Sequence, residues 1–245
     1  DQPSPSGVHG RDAALVQTDG QAWLSAGVQR VEPSRSGSPG AAFFCEETWA
    51  MLFSIETTLI ICDLEATCWR GKAPVRSEII EIGAVALRVP DARLDEFQTF
   101  IKPVETEMLS DFCTELTSIT QSDVEDAPLF PEAFASFLEW MRGFREPLLA
   151  SWGNYDWQQL RRDCESHGVE FPFDHHLNIK TAFAKLRNER PQGMKGALRR
   201  VELALEGTHH RGIDDARNIA ALATYLIETY GWPVIATEIQ GRLIS

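Results

Sequence analysis

Thr58-Leu59-Ile60-Ile61-Cys62-Asp63-Leu64-Glu65 is an apolar run that ends on two acids. A short run of this kind reads as a buried strand over Thr58 to Asp63. Alternate side chains of a strand share a face, so Asp63 and Glu65 project to the same side. As solvated acids at a strand end they would carry no chemistry. Side by side at a buried edge, their repulsion is costly until a proton or a cation offsets it. A hard divalent ion such as Mg²⁺, which prefers carboxylates, water and substrate phosphate, is the simplest compensation. The run therefore points to metal-assisted phosphodiester chemistry.

Downstream, Glu78 to Arg88 and Glu96 to Lys102 read as second and third strands. Their short connections contain Pro90-Asp91 and Pro103, which suits antiparallel turns. Ser118 to Asp126 is polar and runs into Pro128. Pro131 opens a helix to about Arg142, with Phe134, Phe137, Leu138 and Met141 along one face. Leu148 to Trp152 is a fourth strand. Asn154 caps a helix through about His167, which Gly168 ends. Asn178 to Arg190 and Lys195 to Leu205 read as helices. Asp214 to Tyr230 is the clearest helix, with Ile219, Leu222, Ala223, Leu226 and Ile227 on one stripe. Three strands followed by alternating helix and strand predict an α/β fold, a mixed central sheet with helices packed on it.

Upstream, residues 1 to 56 are rich in Pro, Ser and Gly and show no sustained period, apart from a short helical pattern over Gln21 to Val31. They read as a disordered or loosely attached leader before a domain spanning 57 to 245. The start lacks a basic stretch followed by an apolar segment, so no secretory signal is read; without an initiator Met, a processed or trimmed chain is expected, and a removed targeting segment stays open. No stretch nears the roughly 18 to 20 apolar residues of a membrane helix. Five cysteines, an odd number with no Cys-x-x-Cys pair, fit reduced thiols in a cytoplasmic protein. A net charge of −13 argues by itself against a nucleic-acid binder. The charge is unevenly spread, however. Lys180 to Arg200 holds seven basic residues (Lys180, Lys185, Arg187, Arg190, Lys195, Arg199, Arg200) against one acid, Glu189. It is either a solvated helix surface or a basic flank that draws a polyanion toward an acidic, metal-holding centre.

Three further residues extend the acid pair. Asp156 lies just beyond the fourth strand, in a first helical turn where an acid also serves the helix dipole. Asp215 shares a stripe with Ile219, Leu222 and Leu226, so it is an acid on a buried face and needs a partner. Asp214 falls on a more polar face and reads as a helix cap. His210 precedes Asp215 by five positions, in the loop before the helix, where its imidazole can reach a water held by a metal. His209 reads as a surface group.

Asp63-x-Glu65, Asp156 and His210-x4-Asp215 together resemble the DEDDh 3′–5′ exonucleases, the ribonuclease T and proofreading-exonuclease superfamily. Asp63-Leu-Glu-Ala-Thr-Cys68, Glu78-Ile-Ile-Glu-Ile-Gly83, Leu109-Ser-Asp-Phe-Cys-Thr-Glu-Leu-Thr-Ser-Ile-Thr120 and His209-His-Arg-Gly-Ile-Asp-Asp215 are similar to the branch that trims small and structured RNAs, and to its bacterial relatives. The likeness covers about residues 57 to 230. Cys68-Trp69-Arg70 departs from the more acidic run of some relatives, which bears on substrate preference.

The resemblance implies a ribonuclease H-like fold and two Mg²⁺ or Mn²⁺ ions held by Asp63, Glu65, Asp156 and Asp215. It also implies His210 as general base, its ordinary pKa of about 6.5 suiting it to take a water's proton near neutrality. The substrate would be a nucleic acid with a free 3′ end, RNA favoured, and the products nucleoside 5′-monophosphates. Main-chain groups at Ala66 and Thr67 would meet the terminal sugar. Phe112 and Tyr155 are candidates to stack on the terminal base, though core packing explains either equally well. A DNA-directed or dinucleotide-clearing exonuclease is the runner-up, and a catalytically silent adaptor the reading from another class. Oligomeric state is not legible.

Overall fold

The computed structural model describes residues 56–88 and 92–241. Residues 1–55 of the expected leader lie outside the described residues, as does the Pro90-Asp91 turn. Six strands form one sheet in the order β3-β2-β1-β4-β5-β6. They are β1 (Thr58–Ala66), β2 (Ile79–Arg88), β3 (Ala92–Phe100), β4 (Pro147–Ser151), β5 (His175–Asn178) and β6 (Ile239–Gly241). β1 pairs antiparallel with β2 and parallel with β4, β2 pairs antiparallel with β3, β4 is parallel to β5, and β6 closes the row antiparallel. The sheet is therefore mixed, with β1 at its centre.

The alternation along β1 sends its apolar side chains into two cores. Leu59 and Ile61 pack with Ile219, Leu222 and Leu226 of α7 (Gly212–Tyr230). The same core includes Ala182 and Phe183 of α5 (Ile179–Leu186) and Ala197 and Leu198 of α6 (Met194–Arg200). Ile60, Cys62 and Leu64 face the other way, against Phe134 and Phe137 of α3 (Phe130–Met141) and Leu160 and Cys164 of α4 (Tyr155–His167). Burying one such aliphatic side chain is worth about 1.5–3 kcal/mol. Continuing the alternation, Asp63 and Glu65 fall on the α7 side.

β1 runs to Ala66, beyond the expected end at Asp63, because its ladder to β2 continues through Glu65↔Glu81. β3 starts and ends earlier than expected for the same reason, its pairing with β2. Asn178 caps α5, its carboxamide accepting the Thr181 N–H at 3.0 Å, and the helix stops at Leu186, short of the expected Arg190. α6 likewise ends at Arg200, and Glu202 turns the chain at φ 59°. Asn154 stands at the expected cap position of α4 without capping it; its carboxamide oxygen accepts from Asn178 Nδ2 at 2.8 Å. Gly168 ends that helix in the left-handed region as expected, at φ 63°.

Five elements were not expected. α1 (Asp111–Thr117) precedes the polar segment and α2 (Gln121–Val124) lies within it, capped by Ser110 and Thr120. α8 (Trp232–Ala236) follows α7. β5 and β6 are too short for a periodic signal and are created by pairing onto β4. Among the described residues no helix is long and apolar enough to cross a membrane.

Candidate active site

Two glycines decide how α7 meets the sheet. A Cβ on Gly83 of β2 would lie 2.1 Å from the carbonyl carbon of Gly212, so only glycine lets the helix start rest there. Gly212 is itself crowded, its Cβ position 3.0 Å from the Asp63 carbonyl oxygen. Glu81, fully buried on β2, accepts the Gly212 N–H at 3.0 Å and Gln98 Nε2 at 2.7 Å. The first turn of α7 is thereby fastened over the end of β1.

That contact gathers the expected acids. Carboxylate oxygens of Asp63, Glu65 and Asp215 all lie within 4.8 Å of one another. Asp156 reaches the same end of the sheet from the first turn of α4, where its Oδ1 accepts the Leu64 N–H at 3.2 Å. Glu65, Asp156 and Asp215 are 8%, 7% and 5% exposed, and Asp63 is half-buried. Burial raises the Asp63 pKa well above the carboxylate range, and the charges of Asp156, Glu65, Asp215 and Glu81 add to it. Glu65 is pushed up to about 8, first by burial and then by Glu81, Asp215 and Asp156, with Arg211 opposing. Asp156 rises to about 6 through burial, held back by hydrogen bonds from the Leu64 N–H and the Ser151 hydroxyl. These shifts describe carboxylates short of positive charge. Arg211, whose Nε lies 3.5 Å from Glu81 Oε2, supplies part of it. The donor set is all oxygen, hard and convergent, and it suits Mg²⁺ or Mn²⁺.

His210 adopts φ 65°, in the left-handed region that histidine enters more readily than most residues. Its main-chain N–H donates to Asp215 Oδ2 at 3.0 Å. Its ring lies 3.9 Å from that of His209, centroid to centroid, tilted by 30°. Burial lowers its pKa, the charges of His209 and Lys195 lower it further, and Asp215 opposes. His209 is not the surface group expected from the sequence. Its Nδ1 lies 2.9 Å from Asp215 Oδ2 and 3.1 Å from Oδ1. Asp214 likewise is no cap of its own helix. It sits one residue past Ile213, inside the first turn, accepting the Thr208 N–H at 2.8 Å and pairing with Arg217 at 2.7 Å, which ties the preceding loop down.

The residues expected at the substrate end are more dispersed. Thr67 gives its N–H to the Glu78 carbonyl at 2.8 Å, and its hydroxyl accepts the Glu78 N–H at 3.0 Å. The Ala66 carbonyl accepts from Cys113 Sγ at 3.7 Å. Tyr155, 51% exposed, adjoins Asp156 at the start of α4. Phe112 is half-buried on α1, with the Arg70 guanidinium 5.4 Å above its ring.

Sequence reasoning missed Glu81, Arg211 and His209. Glu81 had one signal, an acid at an interior position of an otherwise apolar strand. Its partner opposite, Glu65, emerges only from the β1/β2 register. Glu78, in the same motif, is spent on structure: its carboxylate gathers the N–H groups of Val104, Glu105 and Thr106 at 2.7–3.0 Å.

Comparison with known proteins shows the family and the fold. The RNase_T family profile, described as an exonuclease, matches residues 60–223. The chain is 30% identical to ERI1 exoribonuclease 2 of Danio rerio over 213 residues, 78% of this chain and 37% of the fish protein. It is 31% identical to the 3′-5′ exonuclease Snipper of Drosophila melanogaster over 193 residues, 69% of either chain. Among solved structures it resembles the nuclease domain of 3′hExo, a DEDDh family member bound to rAMP. That match has a TM-score of 0.68 at 27% identity, covering 76% of this chain and 96% of that domain. The six-stranded mixed sheet with its helices is thus the ribonuclease H-like fold. The chain spans only about a third of the length of the fish relative.

Proposed function

This chain belongs to the RNase T-like DEDDh exonucleases, and on that premise we propose that it hydrolyses nucleic acid, RNA in preference, one nucleotide at a time from a free 3′ end. The observation that carries the proposal is the convergence of Asp63, Glu65 and Asp215 within 4.8 Å, with Asp156 at the same sheet end and His210 anchored to Asp215. The RNA preference is supported by relatives named as exoribonucleases.

Asp63, Glu65, Asp156 and Asp215 would hold the divalent cations. Bound there, such ions lower the pKa of a water and offset the charge that develops on the departing 3′ oxygen. The chain's own side chains set the rest. The bond from the Leu64 N–H and the main-chain contact from His210 hold Asp156 and Asp215 in place. With its pKa lowered, His210 is a neutral imidazole at neutral pH, free to take the proton of the attacking water. Tyr155, exposed beside Asp156, offers a face to the terminal base. The described thiols Cys62, Cys68, Cys113 and Cys164 are unpaired, which supports a cytoplasmic setting. The complete set of five argues against a silent adaptor, which has no use for the histidine.

The test is mononucleotide release from labelled single-stranded RNA, single-stranded DNA, 3′-overhang duplexes and dinucleotides, with Mg²⁺, with Mn²⁺ and with chelator. The proposal expects cation-dependent release of 5′-monophosphates, fastest on RNA. Faster cleavage of DNA or of dinucleotides alone would transfer the reading to the runner-up. Tight binding with no cleavage under any condition would return the adaptor.

A further inference from the structure

The seven basic side chains between Lys180 and Arg200 are sorted by the fold into two groups. Lys185 pairs with Glu238 at 2.7 Å. Arg187 meets Glu189 at 3.1 Å and donates to the Tyr225 hydroxyl at 2.7 Å, and Arg200 reaches the same Glu189 at 3.4 Å. Lys180, Arg190, Lys195 and Arg199 have no ion pair among the described residues. Three of these four are exposed and Lys180 is half-exposed.

Their placement is not random with respect to the acids. The stem of Lys180 crosses the turn between β4 and Asp156, its Cδ 3.8 Å from where a Cβ on Gly153 would stand. Trp152 Nε1 donates to the Gln192 carbonyl at 3.1 Å, fastening the loop that carries Arg190 to that same turn. Lys195 and Arg199 are one turn apart on the outer face of α6, opposite its buried Met194, Ala197 and Leu198. Lys195 is the one of the pair whose charge reaches His210. Cations with no ion pair among the described residues thus start at the turn that leads into Asp156 and continue onto the outer face of α6. In a chain of net charge −13, like charges without ion-pair partners along this turn, loop and helix make a local positive field that favours a polyanion.

We propose that Lys180, Arg190, Lys195 and Arg199 form a track for the phosphates upstream of the scissile bond, so that the site takes a single-stranded 3′ tail several nucleotides long. The proposal rests on the exonuclease reading and adds the substrate's path and minimum shape to it. Three of the four carboxylates at the head of the track are only 5–8% exposed, and the fourth, Asp63, is half-buried, which suits one strand rather than a duplex. The track is electrostatic, so it carries no sequence preference.

The test is equilibrium binding of a fluorescein-labelled RNA decamer and of a dinucleotide in EDTA, where turnover does not interfere. The proteins are wild type, the triple variant Lys180→Ala/Lys195→Ala/Arg199→Ala, and Lys180→Arg/Lys195→Arg. Each phosphate contact on a single strand contributes about 0.7 to the slope of log affinity against log salt. The triple variant should lose about 2 from that slope. Between about 50 and 200 mM salt the wild type should then weaken about 20-fold more than the variant. The arginine variant should keep the wild-type slope, and wild type should prefer decamer over dinucleotide more strongly than the triple variant does. Coincident slopes for wild type and triple variant overturn the track, as does an arginine variant that behaves like alanine. Mononucleotide release by wild type, measured in parallel, separates the two readings. With release intact and slopes coincident, only the track falls; with neither release nor binding, both fall.

Discussion

Asp215 is where the most interactions meet. Its oxygens accept the His210 N–H, contact the His209 ring, and belong to the cluster with Asp63 and Glu65. We expect Asp63→Asn and His210→Ala each to lower mononucleotide release by at least about 10²-fold, the scale of a lost general base or a broken cation site. Circular dichroism should be unchanged, and a variant with undiminished activity would remove its residue from the assigned role. His209→Ala should cost less, because it takes away one support of Asp215 rather than the base. The pH profile follows from the same pair. Burial and the His209 charge lower the His210 pKa, so the imidazole becomes neutral below its ordinary value of about 6.5. The rate should rise on an acid limb below that value and level off at neutrality. In His209→Ala the limb should move up in pH. A profile measured where chemistry limits the rate checks both. Asp63, Glu65 and Asp215 were legible because strand and helix periods place acids on faces without help from the fold, while Asp156 and His210 were picked out by the five-residue pattern they complete. The role of His209 was not, since a loop histidine has no period to betray its contact.

Among the elements, the seat of α7 on β2 matters most to the site. Gly83→Ala introduces a Cβ 2.1 Å from a main-chain carbon, and main chain cannot turn aside as a side chain can. The helix start, and with it His210 and Asp215, must shift. Overpacking of this kind costs about 1–3 kcal/mol, so a fall in Tm accompanied by a larger loss of activity is expected. Loss of Tm at full activity would show that the seat is not what aligns the site. Glu81→Ala tests the same junction from the polar side, since it leaves the buried Gly212 N–H without its acceptor, at about 1–3 kcal/mol. Strands β1 to β4 and helices α3, α4 and α7 were readable from apolar periodicity, and their ends drifted by a few residues. β5 and β6 were not, because four- and three-residue strands exist only through their neighbours. The buried His176 in β5 illustrates this. It reads as polar, yet it packs against Trp157, hydrogen-bonds the Ser151 hydroxyl at 2.9 Å, and is kept neutral by burial, its pKa pushed down to about 4.

For the whole molecule, the raised carboxylate pKa values become a statement about stability. Glu65 titrates near its ordinary 4.5 when unfolded and near 8 when folded without cations. Between those values the folded state binds more protons, so stability falls as pH rises from about 4.5 to 8. Asp156 adds to the fall up to about 6. In EDTA, Tm should therefore decline over this window, and Mg²⁺ should raise Tm more at pH 8 than at pH 5. Glu65→Gln should flatten the decline. An equal Mg²⁺ effect at both pH values would mean that cations do not relieve the repulsion described. The amino-acid sequence by itself determined the α/β class, the five motif residues as candidates and the basic character of Lys180 to Arg200, because side-chain chemistry and periodicity are properties of neighbours along the chain. Only the tertiary structure decided that Glu81 faces Glu65, that His209 rests on Asp215, and that four of the seven basic residues have no ion pair among the described residues. Each of those depends on strand register or on a contact between distant segments, and such pairings are set by packing the whole chain at once.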